Sequence, residues 1–307
     1  MAVRLLLKIG IAGLLVLAVL AVWAVAGLPS RSDVAALARD APGPTALMRQ
    51  REREAEKAGR RARRVQAYVP VSRISRHLIH AVLAAEDQKF FGHEGVDWEA
   101  VKESAEANRK AGRFARGGST ITQQLAKNLY FGTSRTPMRK LRELIVARWL
   151  EQELTKRRIL ELYLNVIEWG DGIYGAEAAA RAWVGKPAAA LEPAEAAGLA
   201  AMIPNPRRIN PRVGAARHAR AQQRVLWLMG QAGYLGRSGM GAEPPPPPEP
   251  VGEDEDDEPP PPAEPEPTPA PGDAAPSAEP SPEAAPTATP EPAPLASPAA
   301  APSPTPM

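Results

Sequence analysis

The 307-residue sequence contains no cysteine, and no lysine or arginine occurs from residue 243 to the end. The absence of cysteine excludes disulfide bonds and thiol chemistry, although it does not identify the compartment. The stretch from residue 243 holds 25 of the 35 prolines and 14 acidic residues, with almost no large apolar side chains. Because such a segment cannot bury a core, residues 237–307 are predicted to be a disordered tail.

The charge is divided unevenly along the chain. Removing the 14 acidic residues of the tail from the formal net charge of +3 leaves residues 1–242 with a charge of +17. A body this basic favours anionic partners, which include nucleic acid, anionic lipid headgroups and phosphorylated substrates.

A long hydrophobic run begins the chain. Residues 9–28 carry no charge and follow Arg4 and Lys8, and this length suffices for a hydrocarbon core of about 30 Å. A cleaved signal peptide is the alternative, since small residues at 24–27 suit a peptidase, but its apolar region is usually only about 7–15 residues long. We therefore predict an uncleaved membrane anchor over 5–28. The basic residues before the run place the rest of the chain outside the cytoplasmic membrane, although further basic residues between Arg49 and Arg64 weaken that argument.

The remaining chain divides into a linker and one domain. Residues 29–67 are predicted to be a juxtamembrane linker, for which a helical stalk and a solvated segment are both compatible with the charge pattern. Residues 68–236 predict a single mainly α-helical domain, because apolar residues recur at helical spacing and few alternating patterns occur. Helices are expected over 77–85, from Thr120 to about Tyr130, from Thr136-Pro137 onward, over 156–165, and from Glu192 to Pro204.

Two motifs in this domain concentrate reactive and hydrogen-bonding side chains. In EDQKFFGHEG (86–95), Glu86 follows an apolar helix, so partial burial would raise its pKa and make it a better base. A carboxylate pair that ends a surface helix is the alternative. In GGSTITQQLAKN (117–128), Ile121, Leu125 and Leu129 predict a buried stripe. Lys127 and the amide side chains occupy other faces of the helix, where they could bind an anionic ligand. An ordinary amphipathic helix with no ligand is the alternative.

Two further motifs follow. RTPMRKLRE (135–143) places Arg135, Arg139 and Glu143 one turn apart, which suits either a simple Arg139–Glu143 salt bridge or two cations and a carboxylate facing a cleft. KRRILELYLN (156–165) supplies mainly core residues. The basic stretch 108–118 has glycines near its end and is compatible with a mobile flap or an ordinary exposed loop.

In this order and spacing, the four motifs resemble the peptidoglycan glycosyltransferases, glycosyltransferase family 51. The similarity covers about residues 68–211, and it includes the later segments IEWGDGIYGAEAAARAWVGKPA and EAAGLAAMIPNPRRINP. Bifunctional members carry a transpeptidase domain, but this sequence has no Ser-x-x-Lys motif. The resemblance is therefore to the monofunctional biosynthetic transglycosylases, which polymerise lipid II on the outer face of the cytoplasmic membrane.

The resemblance implies a lysozyme-like helical fold with a smaller membrane-facing lobe, and it assigns roles to individual residues. Glu86 would be the general base, and Glu143 would organise the leaving-group end or a divalent ion such as Mg or Mn, with no organic cofactor. The expected substrate-binding residues are Ser119, Thr120, Gln123, Gln124, Lys127, Asn128, Arg135, Arg139 and Lys140. The expected supporting residues are Asp87, Phe90, His93, Gly95, Glu161, Tyr163 and Asn165.

The implied partners are lipid II, the growing glycan strand, the membrane and other cell-wall synthesis proteins, with no nucleic acid. Two alternatives remain at this point. A lysozyme-like hydrolase or lytic transglycosylase could share the fold and a catalytic glutamate, but it would not need the cations for a diphosphate. A membrane-anchored scaffold could act through its proline-rich tail as a polyproline helix, but it would not need intact motifs.

Overall fold

The computed structural model describes residues 2–112, 117–134 and 136–235 of the chain. Helices dominate these residues, which confirms the predicted mainly α-helical class. The helices are α1 (Ala2–Ala26), α2 (Arg31–Ala36), α3 (Ala46–Lys57), α4 (Arg76–Glu86), α5 (Trp98–Ala111), α6 (Ile121–Ala126), α7 (Pro137–Glu153), α8 (Lys156–Val166), α9 (Ala176–Trp183), α10 (Pro193–Ala200) and α11 (Ala215–Gln231). The strands are β1 (Val65–Gln66), β2 (Glu168–Gly170) and β3 (Ile173–Tyr174). The tail predicted over 237–307 lies outside the described residues.

Helix α6 lies at the centre of the domain, where it packs against both α7 and α8. A π-helical turn over Lys127–Phe131 continues it directly, so the predicted helix from Thr120 to about Tyr130 is confirmed with a wider last turn. The predicted stripe of Ile121, Leu125 and Leu129 is buried. Burial of this stripe fixes the rotation of α6, and so it decides which of its polar side chains face outward.

A second packed group is formed by α4, α10 and α11. The apolar run over 81–84 is buried in it, and α4 emerges from the core at its last residue, Glu86. Strands β2 and β3, which follow α8, form a small sheet with β1, which precedes α4. The strand order is β1-β3-β2, with β1 parallel and β2 antiparallel to β3. The end of α4 is joined to the side of α6 by the hydrogen bond between Glu86 and Gln124.

The segment over 31–57, for which a stalk and a solvated linker were both open, forms two helices that pack against the domain. Helix α2 packs against α7, and α3 packs against the turn over 127–131. Val34 and Met48 are almost completely buried. Thr45 begins α3, because its Oγ1 accepts a hydrogen bond of 3.2 Å from the backbone N–H of Met48.

Helix α1 covers most of the segment predicted as a membrane anchor. Among the residues described above, no helix combines the length and the apolar character that crossing a membrane requires. The anchor over 5–28 therefore stays a prediction.

Candidate active site

Glu86 is the last residue of α4 and is half-buried where that helix meets α6. Gln124 Nε2 donates a hydrogen bond of 2.7 Å to Glu86 Oε2. Burial raises the pKa of the Glu86 carboxyl above its ordinary value; the Gln124 hydrogen bond and the charge of Lys127 oppose this shift, whereas the charge of Asp87 adds to it. A carboxylate with a raised pKa accepts protons more readily near neutral pH, which suits the predicted general base.

Asp87 is buried and joins three segments instead of facing the cleft. Its two carboxylate oxygens lie 3.0 Å from His93 Nε2, and Oδ2 also accepts a hydrogen bond of 3.0 Å from the backbone N–H of Ile121. The other ring nitrogen, His93 Nδ1, accepts from the N–H of Gly95 at 3.1 Å. Because Nδ1 is an acceptor, we assign the ring proton to Nε2, which donates to Asp87. Asp87 and His93 thus connect the end of α4 to the start of α6, and the supporting role of these residues and Gly95 stays a prediction.

The remaining supporting residues lie under the site. Phe90 is fully buried with Lys156 Nζ 4.5 Å from its ring centroid. Glu161 Oε2 accepts from the N–H of Val71 at 2.8 Å, and Asn165 bonds both the N–H and the carbonyl of Val69 at 2.9 Å. Tyr163 reaches the site itself, as its hydroxyl donates to Gln124 Oε1 at 2.9 Å. Helix α8 therefore fixes the 68–71 segment on one side and Gln124 on the other.

A cleft of about 620 Å³ opens beside α6, between α5 and α7. Its lining includes Glu143 and six of the predicted substrate-binding residues, which are Ser119, Gln123, Gln124, Lys127, Arg139 and Lys140. Gly118 lies so close to α5 that an added Cβ would come within 3.2 Å of the Cα of Val101. The glycine start of the motif therefore lets the backbone approach α5 and form one wall of this cleft.

Two of the predicted substrate-binding residues, Thr120 and Asn128, do not line the cleft. Thr120 is buried outside the cleft lining, because its hydroxyl donates to Gly95 O at 2.6 Å and accepts from the N–H of Gln123 at 3.2 Å. It is the N-cap of α6, and the side chain of Gln123 binds Lys140. Asn128 is also buried outside the lining, and its amide donates to the carbonyl of Gln124 at 2.8 Å.

The cations of α7 are held by one buried carboxylate. Glu143, only 2% exposed, accepts a hydrogen bond from Arg139 and lies 3.5 Å from Lys140 Nζ. Lys140 Nζ also donates to Ser119 Oγ at 2.8 Å and to Gln123 Oε1 at 3.0 Å. The Arg139–Glu143 salt bridge therefore forms, and both of its residues line the cleft. The interpretation with two cations also needs Arg135 and stays a prediction. Arg135 lies outside the described residues.

Lys127 follows Gln124 by one turn and faces the same cleft. Burial lowers the pKa of its ammonium group, and this is opposed mainly by the charge of Glu143 and further by that of Glu86. The ammonium group of Lys127 therefore interacts electrostatically with the carboxylates of both Glu143 and Glu86.

The neighbours of Glu143 decide whether a divalent ion fits there. Its carboxylate is already occupied by Arg139 and Lys140, whose charges would repel a metal. Across the described part of the chain, no group of three or more His, Cys, Asp or Glu side chains could hold a metal ion. The residues present do not fit a resident ion at Glu143, and we derive no step through one.

Two residues that the motifs did not indicate contribute to this region. Ser104 of α5 lines the cleft, and its buried Oγ makes no hydrogen bond within the described residues. Gln50 of α3 binds the loop before α7, because its Oε1 accepts from the N–H of Thr133 at 2.8 Å and its Nε2 donates to Thr133 Oγ1 at 2.6 Å. Ser104 could have been suspected from helical spacing within α5, but nothing local marks Gln50.

Comparison with known proteins agrees with this geometry. The family model described as transglycosylase matches residues 34–231. Biosynthetic peptidoglycan transglycosylases are similar to the chain: that of Azoarcus sp. is 49% identical over 61% of this chain and 82% of its own length. The protein of Methylobacillus flagellatus is 58% identical over 46% of this chain and 61% of its own length. The protein of Dechloromonas aromatica is 51% identical over 54% of this chain and 72% of its own length. The family match extends beyond residues 68–211 at both ends and includes α3. The chain therefore belongs to the transglycosylase family and is a peptidoglycan glycosyltransferase.

Proposed function

We propose that the protein polymerises lipid II into β-1,4-linked peptidoglycan strands and releases undecaprenyl pyrophosphate. The observation that carries this proposal is the order of charges along one cleft. Glu86 is not itself among the residues that line the cleft, but it is hydrogen-bonded to Gln124, which is. Lys127 follows Gln124 by one turn, and Arg139 and Lys140 complete a cationic end. A base at one end and cations at the other are what displacement of a diphosphate requires.

The reaction follows from that arrangement. Glu86 takes the proton from the 4-hydroxyl of the acceptor's N-acetylglucosamine while that oxygen attacks the anomeric carbon of the donor's N-acetylmuramic acid. The bond from this carbon to the diphosphate oxygen breaks, and the configuration inverts from α to β. The leaving group carries negative charge, so Lys127, Arg139 and Lys140 stabilise it electrostatically, and no strong acid is needed.

The location of the reaction is part of the same proposal. Residues 5–28 would anchor the chain in the cytoplasmic membrane, with the catalytic domain on its outer face. Helix α5 would belong to the smaller membrane-facing lobe, because Trp98 is 71% exposed and Ser104 is the one buried residue in the helix. Holding the enzyme and a lipid-linked substrate at one surface raises their effective concentration.

The test is polymerisation of purified lipid II by the full-length protein. Glu86→Gln should abolish strand formation while leaving the fold intact, because the amide cannot accept the proton. Glu99→Gln is the matched control, since it removes an exposed carboxylate that is paired only with Lys89 in the described structure. A Glu86→Gln variant that polymerises at the wild-type rate would refute the base assignment. Release of soluble sugars from finished wall, with no polymer from lipid II, would favour the lytic alternative.

A further inference from the structure

Three side chains from three helices form one hydrogen-bonded series that ends on Glu86. Tyr163 of α8 is fully buried, and its hydroxyl donates to Gln124 Oε1 at 2.9 Å. Gln124 of α6 in turn donates through Nε2 to Glu86 Oε2 at 2.7 Å. Because the Tyr163 hydroxyl is buried and bonded to Gln124, it acts on Glu86 only through that amide.

The order of donors and acceptors in this series follows from its two ends. An ionised carboxylate only accepts hydrogen bonds, so the amide of Gln124 must turn its NH₂ group toward Glu86. Its carbonyl oxygen then faces Tyr163, whose hydroxyl must donate. Burial and the charges of Glu86 and Asp87 raise the pKa of Tyr163 well above its ordinary value, which keeps this donor protonated. The tyrosine therefore selects one of the two orientations of the Gln124 amide.

We infer that Tyr163 is a positioning residue for the reaction: through Gln124 it holds an N–H donor on the Glu86 carboxylate and keeps that base in one orientation. The inference rests on the proposed function, in which Glu86 removes the acceptor's proton. It assigns Gln124 to the base as well as to the substrate groove, and it gives Tyr163 a specific role beyond support of the core.

Removal of the tyrosine hydroxyl should change the pH dependence of the reaction. The groups that act on Glu86 are Asp87 at the end of α4, Gln124 of α6, Lys127 in the turn after α6, and Tyr163 of α8. The Gln124 hydrogen bond stabilises the ionised form, so its loss raises the pKa of Glu86 further. A smaller fraction of Glu86 is then ionised at a given pH, and activity is lost at a higher pH than in the wild type.

The experiment is the pH profile of kcat for lipid II polymerisation by the full-length protein. Tyr163→Phe keeps the ring and removes only the hydroxyl, and it should move the acidic limb upward by about one pH unit, as expected for loss of a hydrogen bond to a charged group. Activity should recover on the alkaline side. Tyr68→Phe is the control, since this hydroxyl contacts Glu161 and Arg158 but not Gln124, and its acidic limb should stay where the wild type has it.

A second variant keeps the inference testable if Tyr163→Phe fails to fold. Gln124→Met should give a shift of similar direction and size, and the double variant should shift no further than Gln124→Met alone, because both changes break one series. An acidic limb that stays in place in these variants, with the rate reduced equally at every pH, would overturn the inference and leave the proposed function standing. Failure of the wild type to make polymer would instead overturn the proposed function.

Discussion

Replacement of Asp87 by alanine is expected to destabilise the domain strongly, although this carboxylate does not face the cleft. The side chain is buried and satisfies two donors, His93 Nε2 and the N–H of Ile121. Alanine leaves both donors buried and unpaired, at a cost of about 1–3 kcal/mol each. The free energy of unfolding should therefore fall by about 2–6 kcal/mol. For a domain of this size, that corresponds to a Tm lower by roughly 4–24 °C.

Thermal unfolding followed by near-ultraviolet circular dichroism measures this loss. Asp97→Ala is the comparison, because Asp97 caps α5 through hydrogen bonds to the N–H groups of Glu99 and Ala100, and loss of a cap costs about 1 kcal/mol. Asp87→Asn should be intermediate, since its carbonyl oxygen can still accept from both donors at the place of Oδ2 but lacks the carboxylate charge that strengthens these bonds. If Asp87→Ala lowers Tm no more than Asp97→Ala, the reasoning from unpaired buried donors is refuted.

Three further predictions concern the cationic end of the cleft. Gln50→Ala should reduce polymerisation roughly 10- to 100-fold by releasing the loop before α7, whereas the exposed Arg53→Ala on the same helix should leave steady-state rates unchanged. Gly132→Ala should lower the free energy of unfolding in urea by about 1–2 kcal/mol, because Gly132 has φ of 71° and an added Cβ would meet Gln50 Oε1. This loss of free energy should be smaller when Gln50 is also replaced by alanine. Glu143→Gln should cost about 1–3 kcal/mol, because Arg139 loses its buried carboxylate while Lys140 keeps Ser119 and Gln123. Pyrophosphate should restore part of the lost Tm by binding these cations, and no recovery with this anion would contradict their assignment to a diphosphate.

Helix positions could be predicted where a local signal agreed with burial. Thr136-Pro137 begins α7 as expected, because the threonine caps the helix and the proline fits its first turn. The segment over 31–57 offered no such agreement, since its charged residues outnumber its apolar ones and only a few side chains, such as Val34 and Met48, are buried. Its packing depends on tertiary contacts with α7 and the turn over 127–131, which a local pattern does not contain.

The site could be predicted in its residue types but not in its internal pairing. Spacing along α7 indicates that Arg139 can reach Glu143, but the contact between Lys140 and Ser119 depends on how α6 and α7 pack. The role of Thr120 was uncertain for the same reason, because a hydroxyl can cap a helix or bind a ligand until its neighbours are known. Gln50 lies 83 residues before Thr133, so no motif could join them.

The segment that connects α1 to the rest of the chain is very short. Helix α1 ends at Ala26, and α2 is already capped by Ser30. Arg142 of α7 also contacts the end of α1, where its guanidinium lies 5.4 Å from the centroid of the Trp23 ring. Helix α7 carries Arg139, Lys140 and Glu143 as well. Because the connection is this short, it restricts the orientation of the domain relative to α1 as well as its distance from α1. Whatever holds α1 in place therefore also sets the direction in which the cleft opens.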